Sequence, residues 1–73
     1  MKRQLRVDAV WDDEAKVWLA TSPDIIGLCV EADTWSQMIE EVRLVAPELM
    51  ELNGQEGESV ALKFMAEAHL DVA

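Results

Sequence analysis

The sequence predicts a single α+β domain over residues 1–73, with the element order β-β-β-α-β and one helix packed on a mainly antiparallel sheet. Three observations predict it. Apolar and polar residues alternate near both ends of the 73-residue chain, which is typical of strands. A helix-capping pattern stands in the middle of the chain and opens an apolar stripe of helical period. Turn-forming residues separate these segments.

The first two strands are predicted to form a hairpin. The residues Leu5, Val7, Ala9 and Trp11 alternate with Gln4, Arg6, Asp8 and Val10, which predicts a half-buried strand. Residues 12–15, "DDEA", are poor strand formers and favour a turn. Residues 16–21, "KVWLAT", are rich in β-branched and aromatic residues and predict the second strand.

The segment "SPDIIGLCVEADT" predicts a turn, a third strand and a helix start. Pro23 has no N–H for a ladder and ends the second strand. Gly27 permits a turn or bulge, and residues 28–32 read as the third strand. Thr34 stands three residues before Gln37, which is the capping-box spacing.

The helix that follows carries one apolar stripe. Its members are Trp35, Met38, Ile39, Val42, Val45, Ala46 and Leu49. Pro47 interrupts the pattern and leaves two outcomes open: a kink, or a stop near Val45 with a restart at the proline. Asn53 and Gly54 supply a left-handed cap. Residues 54–58 form a loop, and residues 59–70 alternate again as a long last strand.

The charge and length restrict the classes of partner. Fifteen acidic residues against six basic ones give a formal net charge of −9, which repels nucleic acid and suits a basic protein. The sequence shows no signal-peptide pattern and no apolar run long enough to cross a membrane. Because it also has only one cysteine, we expect a cytoplasmic protein. Folding buries only about 60% of the surface of so small a chain, so a homodimer or larger assembly is expected.

No catalytic site, metal site or cofactor site is predicted. Asp8 and the hairpin residues Asp12, Asp13 and Glu14 could hold a divalent metal, but consecutive side chains in a turn point in different directions. Cys29 and His69 could form a catalytic pair only if their strands were adjacent. A lone cysteine in an apolar run is usually buried and inert.

The contact residues are predicted from the large apolar side chains. Trp11 and Trp35 are interpreted as core residues. Trp18 lies on the face of its strand opposite Val17 and Leu19 and is expected to be exposed, as an interface anchor. The neighbouring Ile25 and Ile26 are expected to be exposed for the same role. The predicted partner-binding residues are Trp18, Ile25 and Ile26, with Asp12, Asp13 and Glu14 as an electrostatic rim.

The ordered set from Pro23 to Thr34 resembles the HicB antitoxin family. That family shows a hairpin, then a segment like "PDLPGxxxxGDT", then an amphipathic helix. Here Pro23-Asp24-Ile25-Ile26-Gly27 and the later Asp33-Thr34 match. Ile26 replaces the second proline of the family, Ala32 replaces the glycine before Asp-Thr, and the helix contains Pro47. These differences resemble a small single-domain branch of unassigned function, and the resemblance covers roughly residues 7–52.

The resemblance implies a degenerate ribonuclease-H-like unit that lacks catalytic acids and acts by binding. Such a domain would occlude a small basic HicA-type toxin that cleaves messenger RNA. HicB proteins usually add a C-terminal DNA-binding module, which is not expected in a sequence ending at Ala73. Two alternatives stay open at this point. One is a metal-dependent hydrolase that uses the hairpin acids, and the other is a self-associating structural domain without a toxin.

Overall fold

The computed structural model describes residues 3–55, 59–69, 71 and 72. It contains one sheet and one helix in the predicted order β-β-β-α-β. The elements are β1 (Arg3–Asp12), β2 (Val17–Thr21), β3 (Cys29–Ala32), α1 (Trp35–Leu52) and β4 (Val60–Glu67). The α+β fold class is confirmed.

The four strands form a mixed sheet in the order β3-β2-β1-β4. β1 pairs antiparallel with β2, and β2 pairs antiparallel with β3. α1 then carries the chain across one face of the sheet, so β4 returns parallel to β1. The last strand is shorter than predicted, because its pairing with β1 begins at Arg3↔Val60 and ends at Val10↔Glu67. Ala68 and His69 lie beyond it, and residue 70 lies outside the described residues.

α1 begins at the predicted cap. The hydroxyl oxygen of Thr34 accepts the backbone N–H of Gln37 at 3.1 Å, which satisfies one of the unpaired donors of the first turn. At the other end Gly54 has φ of 75°, and the N–H of Gln55 donates to the carbonyl of Met50 at 2.7 Å. Together with the bond from the Gly54 N–H to the Glu51 carbonyl, this closes the helix as a Schellman motif.

Pro47 lies inside α1, which is one continuous element of 18 residues. A stop near Val45 with a restart at the proline is therefore wrong. Pro47 and Arg43 are both exposed, so water can satisfy the Arg43 carbonyl that loses its helical donor. The remaining cost of the proline is offset by the burial of Ala46 and Met50 on the inner face of α1.

The core lies between α1 and the sheet. Leu5, Val7 and Ala9 of β1 are almost fully buried, as are Met38 and Val42 of the helix. The core also includes Ala20, Ile25, Leu28, Val30, Ala46 and Met50. Val60, Leu62 and Phe64 of β4 pack against this core but are only partly buried. Their burial is incomplete because α1 lies over β2 and β3 and leaves β4 at the margin. No helix among the described residues is long and apolar enough to cross a membrane.

Candidate protein-binding surface

The Ser22-Pro23-Asp24 turn is fixed to the neighbouring strand. β2 ends at Thr21, so the backbone groups of β1 that precede Asp8 have no strand partner on that side. The Asp24 carboxylate accepts the Arg6 N–H at 2.7 Å, and the Ser22 hydroxyl donates to the Arg6 carbonyl. The same hydroxyl oxygen accepts the N–H groups of Asp24 and Ile25. The turn therefore replaces the missing strand, and its polar residues have a structural role.

The two isoleucines that follow the turn have opposite environments. Ile25 is 0% exposed and Ile26 is 74% exposed. The expected exposure of Ile25 is wrong, because the anchored turn directs its side chain into the core. Gly27 has φ of 87°, a value that favours glycine. The Asn53 side-chain amide donates to the Ile26 carbonyl at 3.1 Å, which ties this loop to the end of α1.

The three tryptophans and Phe64 form a continuous row. Ring centroids are 5.5 Å apart for Trp11 and Trp18, 5.0 Å for Trp18 and Trp35, and 6.1 Å for Trp35 and Phe64. Trp18 is partly buried and packs against the core, so the prediction of an exposed Trp18 is wrong. Trp11 lies on the same face of β1 as the buried Leu5, Val7 and Ala9. Trp18 is the register partner of Trp11, so its side chain also lies on the face that α1 covers. Trp35, interpreted as a core residue, is 36% exposed.

The hairpin acids are engaged in local hydrogen bonds. The Asp12 carboxylate accepts the N–H groups of Glu14 and Ala15 at 3.0 and 3.2 Å, which is an Asx turn. The Asp13 carboxylate accepts the Trp11 indole N–H at 3.3 Å and the Lys16 ammonium at 2.8 Å. Within the described residues, no group of three or more His, Cys, Asp or Glu side chains is placed to hold a metal ion.

The contacts of Asp13 lower its pKa. The hydrogen bond from Lys16 is the largest cause, followed by the hydrogen bond from Trp11 and the positive charge of Lys16. Because its pKa is lower in the folded protein, the ionised Asp13 carboxylate stabilises the fold. This stabilisation is fully present above the ordinary Asp pKa of about 3.9, and it is lost as the pH falls through the lower pKa of the folded protein.

We expect the Trp11 indole N–H resonance to titrate with a midpoint below that ordinary value. Lys16→Ala should raise the midpoint, since it removes the largest cause of the shift. The measurement is a pH series of two-dimensional NMR spectra, with Asp13→Asn as the control that abolishes the transition. An unchanged midpoint in Lys16→Ala would contradict the assignment.

The structure separates Cys29 from His69. β3 and β4 are the two edge strands of the sheet. Cys29 on β3 and His69 beyond the end of β4 therefore lie at opposite edges of the sheet. The expectation that their strands could be adjacent is wrong. Cys29 is also exposed instead of buried. Asp8 is separate from the hairpin acids and pairs with Arg6 at 2.9 Å.

An acidic groove lies between β3 and the first half of α1. We define it by its four carboxylate residues, Glu31, Asp33, Glu40 and Glu41, which line a volume of about 490 Å³ with Ala32, Ser36 and Gln37. None of these lining residues is Lys or Arg. Sequence reasoning missed the groove, although Glu40 and Glu41 lie visibly off the apolar stripe of the helix. The turn at Asp33 and Thr34 brings Glu31 of β3 next to Glu40 and Glu41 of the helix.

The predicted contact residues are divided between two ends of the sheet. Trp11↔Trp18 and Trp18↔Ala32 are register partners, so the hairpin turn and the start of the acidic groove lie at the same end. The predicted rim residues Asp12, Asp13 and Glu14 are therefore at that end. Ile26 lies at the other end, because it follows β2 at Thr21.

Comparison with known proteins gives the family. Residues 4–72 match the family model described as a domain of unknown function, DUF1902. The chain belongs to the DUF1902 family. No curated protein matches it.

A solved structure of similar length shares this fold. The crystal structure of the hypothetical protein TTHA1013 from the extremely thermophilic bacterium Thermus thermophilus superposes with a TM-score of 0.75. Its sequence is 38% identical, over 97% of this chain and 99% of that one. The DUF1902 domain here and that protein therefore correspond over nearly their whole lengths, and neither description states an activity.

Proposed function

We propose that this DUF1902 chain is a non-enzymatic protein-binding module that resembles a HicB antitoxin. Its partner would be a small basic HicA-type toxin that cleaves RNA, neutralised by occlusion. In this interpretation the β-β-β-α-β fold is a degenerate ribonuclease-H-like unit that retains the scaffold and has a binding role. The proposal places the protein in the cytoplasm, where a lone exposed thiol such as Cys29 stays reduced.

The acidic groove is the observation that carries the proposal. Its four carboxylates are exposed, and the Glu40 carboxylate is the only one with an ion pair among the described residues, to Arg43 at 3.4 Å. Such a surface attracts a basic partner and accelerates its association at low salt. The same field repels RNA, so the module would compete with RNA by covering the basic face of the toxin.

Two further features extend this surface. The hairpin acids Asp12, Asp13 and Glu14 lie at the same end of the sheet and form the electrostatic rim. Trp35 is the first residue of α1, packs against Trp18 and Phe64 and is 36% exposed, so we propose it in place of Trp18 as the aromatic contact at this end. Ile26 is at the other end of the sheet, and a partner would need a large footprint to reach both.

The test is capture of the tagged protein's partner from a lysate of its own cells, followed by mass spectrometry. We expect a small basic protein in stoichiometric amount, lost at high salt because exposed charges are screened. The double variant Glu40→Lys/Glu41→Lys should weaken this capture at least about tenfold, since it reverses two of four groove charges.

The matched control is Glu48→Lys/Glu51→Lys, which makes the same change of net charge on the same helix outside the groove. The control should retain the partner nearly as well as the unchanged protein. Equal losses in the two variants would show a dependence on net charge alone and contradict the groove. Recovery of no protein other than the chain itself would contradict the antitoxin function.

No observation favours the hydrolase alternative. The carboxylates of Asp12 and Asp13 are directed at groups within their own turn, and they do not converge on a common point. We therefore propose no reaction for these residues.

A further inference from the structure

β4 leaves one edge of the sheet open. It is the outer strand beside β1, and no other strand among the described residues pairs with its far side. The Arg6 N–H points towards the β2 side. Because backbone groups alternate in direction along a strand, the N–H and C=O groups of the odd-numbered residues of β1 point towards β4. Through the register Leu5↔Leu62, the odd-numbered residues of β4 bond to β1. The backbone groups of Val60, Leu62, Phe64 and Ala66 therefore point out of the sheet.

This edge carries no net charge. Within Val60–Glu67 the only charged residues are Lys63 and Glu67, in a chain of net charge −9. No carboxylate of the described residues forms an ion pair with Lys63. An acidic chain can associate with itself most readily through a neutral surface, because elsewhere like charges would oppose each other. A long open edge of this kind is a template for strand pairing.

We propose that β4 pairs antiparallel with β4 of a second copy, with Met65 on the two-fold axis. This register places Lys63 of each copy directly opposite Glu67 of the other, so that two complementary charge pairs form. It also places Met65, which is 48% exposed, against its symmetry mate. The outward backbone groups of Phe64 and Ala66 then bond to those of the second copy.

Charge selects this register from its neighbours. An axis at Lys63 would place two ammonium groups in opposition, and an axis at Glu67 would place two carboxylates in opposition. Directly opposed like charges destabilise a strand pair. An axis at Phe64 would set Lys63 opposite Met65 and leave the charge unpaired. The self-complementary arrangement of Lys63 and Glu67 around Met65 is what a two-fold interface requires.

The apolar margin of α1 supports the same assembly. A groove of about 340 Å³ between α1 and β4 has mostly apolar walls, which include Ile39, Met50, Val60, Leu62 and Phe64. The axis of an antiparallel strand pair is perpendicular to the sheet, so both helices lie on the same face. The two grooves then face each other across the joined strands, and their apolar walls are shielded from water.

The test is a charge swap measured by sedimentation equilibrium at low salt. Lys63→Glu and Glu67→Lys should each raise the dissociation constant of the dimer at least about tenfold, since each creates two like-charge pairs. The double variant Lys63→Glu/Glu67→Lys restores opposite charges and should return within about threefold of the unchanged protein. These side chains are exposed, so the fold should persist, which circular dichroism checks.

Glu48→Lys is the control for Glu67→Lys. Both reduce the net negative charge equally, and general repulsion alone would strengthen association in both. The proposal requires Glu67→Lys to weaken association and Glu48→Lys to leave it unchanged or stronger. Three results would overturn the proposal. The protein could be a monomer at every concentration, or Glu67→Lys and Glu48→Lys could change the dissociation constant of the dimer equally. The third is a double variant whose dimer dissociates as readily as those of the single variants.

Discussion

Replacing Ile25 with alanine is expected to lower the free energy of unfolding by about 3 kcal/mol. The side chain is 0% exposed and lies among the core residues beneath α1. Its truncation removes buried methyl groups and leaves a cavity that the anchored turn cannot collapse. Because a domain of this size has a total stability of only several kcal/mol, the loss should be plain in urea unfolding monitored by circular dichroism.

Ile26→Ala is the matched control, since the same atoms are removed one residue further along the chain. Its side chain is 74% exposed, so the change should lie within about 0.5 kcal/mol. Similar losses in the two variants would contradict the orientation of this loop. A loss of stability confined to Ile25→Ala would show that Ile25 is a core residue, and it would remove Ile25 from the predicted partner-binding residues.

Replacing Trp18 with alanine is the second large change, with an expected loss of about 3 kcal/mol. The ring lies between Trp11 and Trp35, with centroid distances of 5.5 and 5.0 Å, and packs against the core. Truncation removes both aromatic pairs together with the buried area. The measurement is again urea unfolding, with thermal unfolding as a second probe.

Trp18→Phe should retain most of this stability, at a cost of about 1 kcal/mol, because an aromatic ring still meets Trp35. The two variants also separate packing from partner contact. If Trp18→Ala kept full stability and lost the partner, the side chain would be an exposed anchor after all. A large stability loss with partner binding retained by the folded fraction is the expected outcome.

Local signals predicted the elements well. Alternation predicted β1 and β4, and β-branched and aromatic residues predicted β2. The Thr34 to Gln37 spacing located the start of α1, where the predicted hydrogen bond is present. Asn53 and Gly54 marked its end because a positive φ at Gly54 closes the helix. These features depend on residues close together in the chain, so their physical causes can be read directly from the sequence.

Long-range geometry could not be predicted in the same way. The inward turn of Ile25 and the outward turn of Ile26 depend on Ser22 and Asp24 reaching back to Arg6. The separation of Cys29 from His69 depends on the strand order. Alternation places a residue on a face but does not say which face the helix covers, and for this reason Trp18 was predicted to be exposed.

The acidic groove was missed for a related reason. Glu31 and Glu40 belong to different elements, and each has the ordinary appearance of a solvated residue in its own segment. Only the turn from β3 into α1 brings them to one surface. The run of acids along the sequence draws attention to the consecutive hairpin set first, although the carboxylates of Asp12 and Asp13 form hydrogen bonds within their own turn.

The most direct test of the central claim is NMR titration of the labelled protein with a purified, catalytically inactive HicA-type toxin. Backbone amide signals from the groove, residues 31–41, should shift in a saturable and salt-sensitive way. Signals from the second half of α1, residues 48–52, should remain in place. An absence of shifts at a large excess of toxin, or shifts confined to β4 and the second half of α1, would contradict the proposed function of the groove.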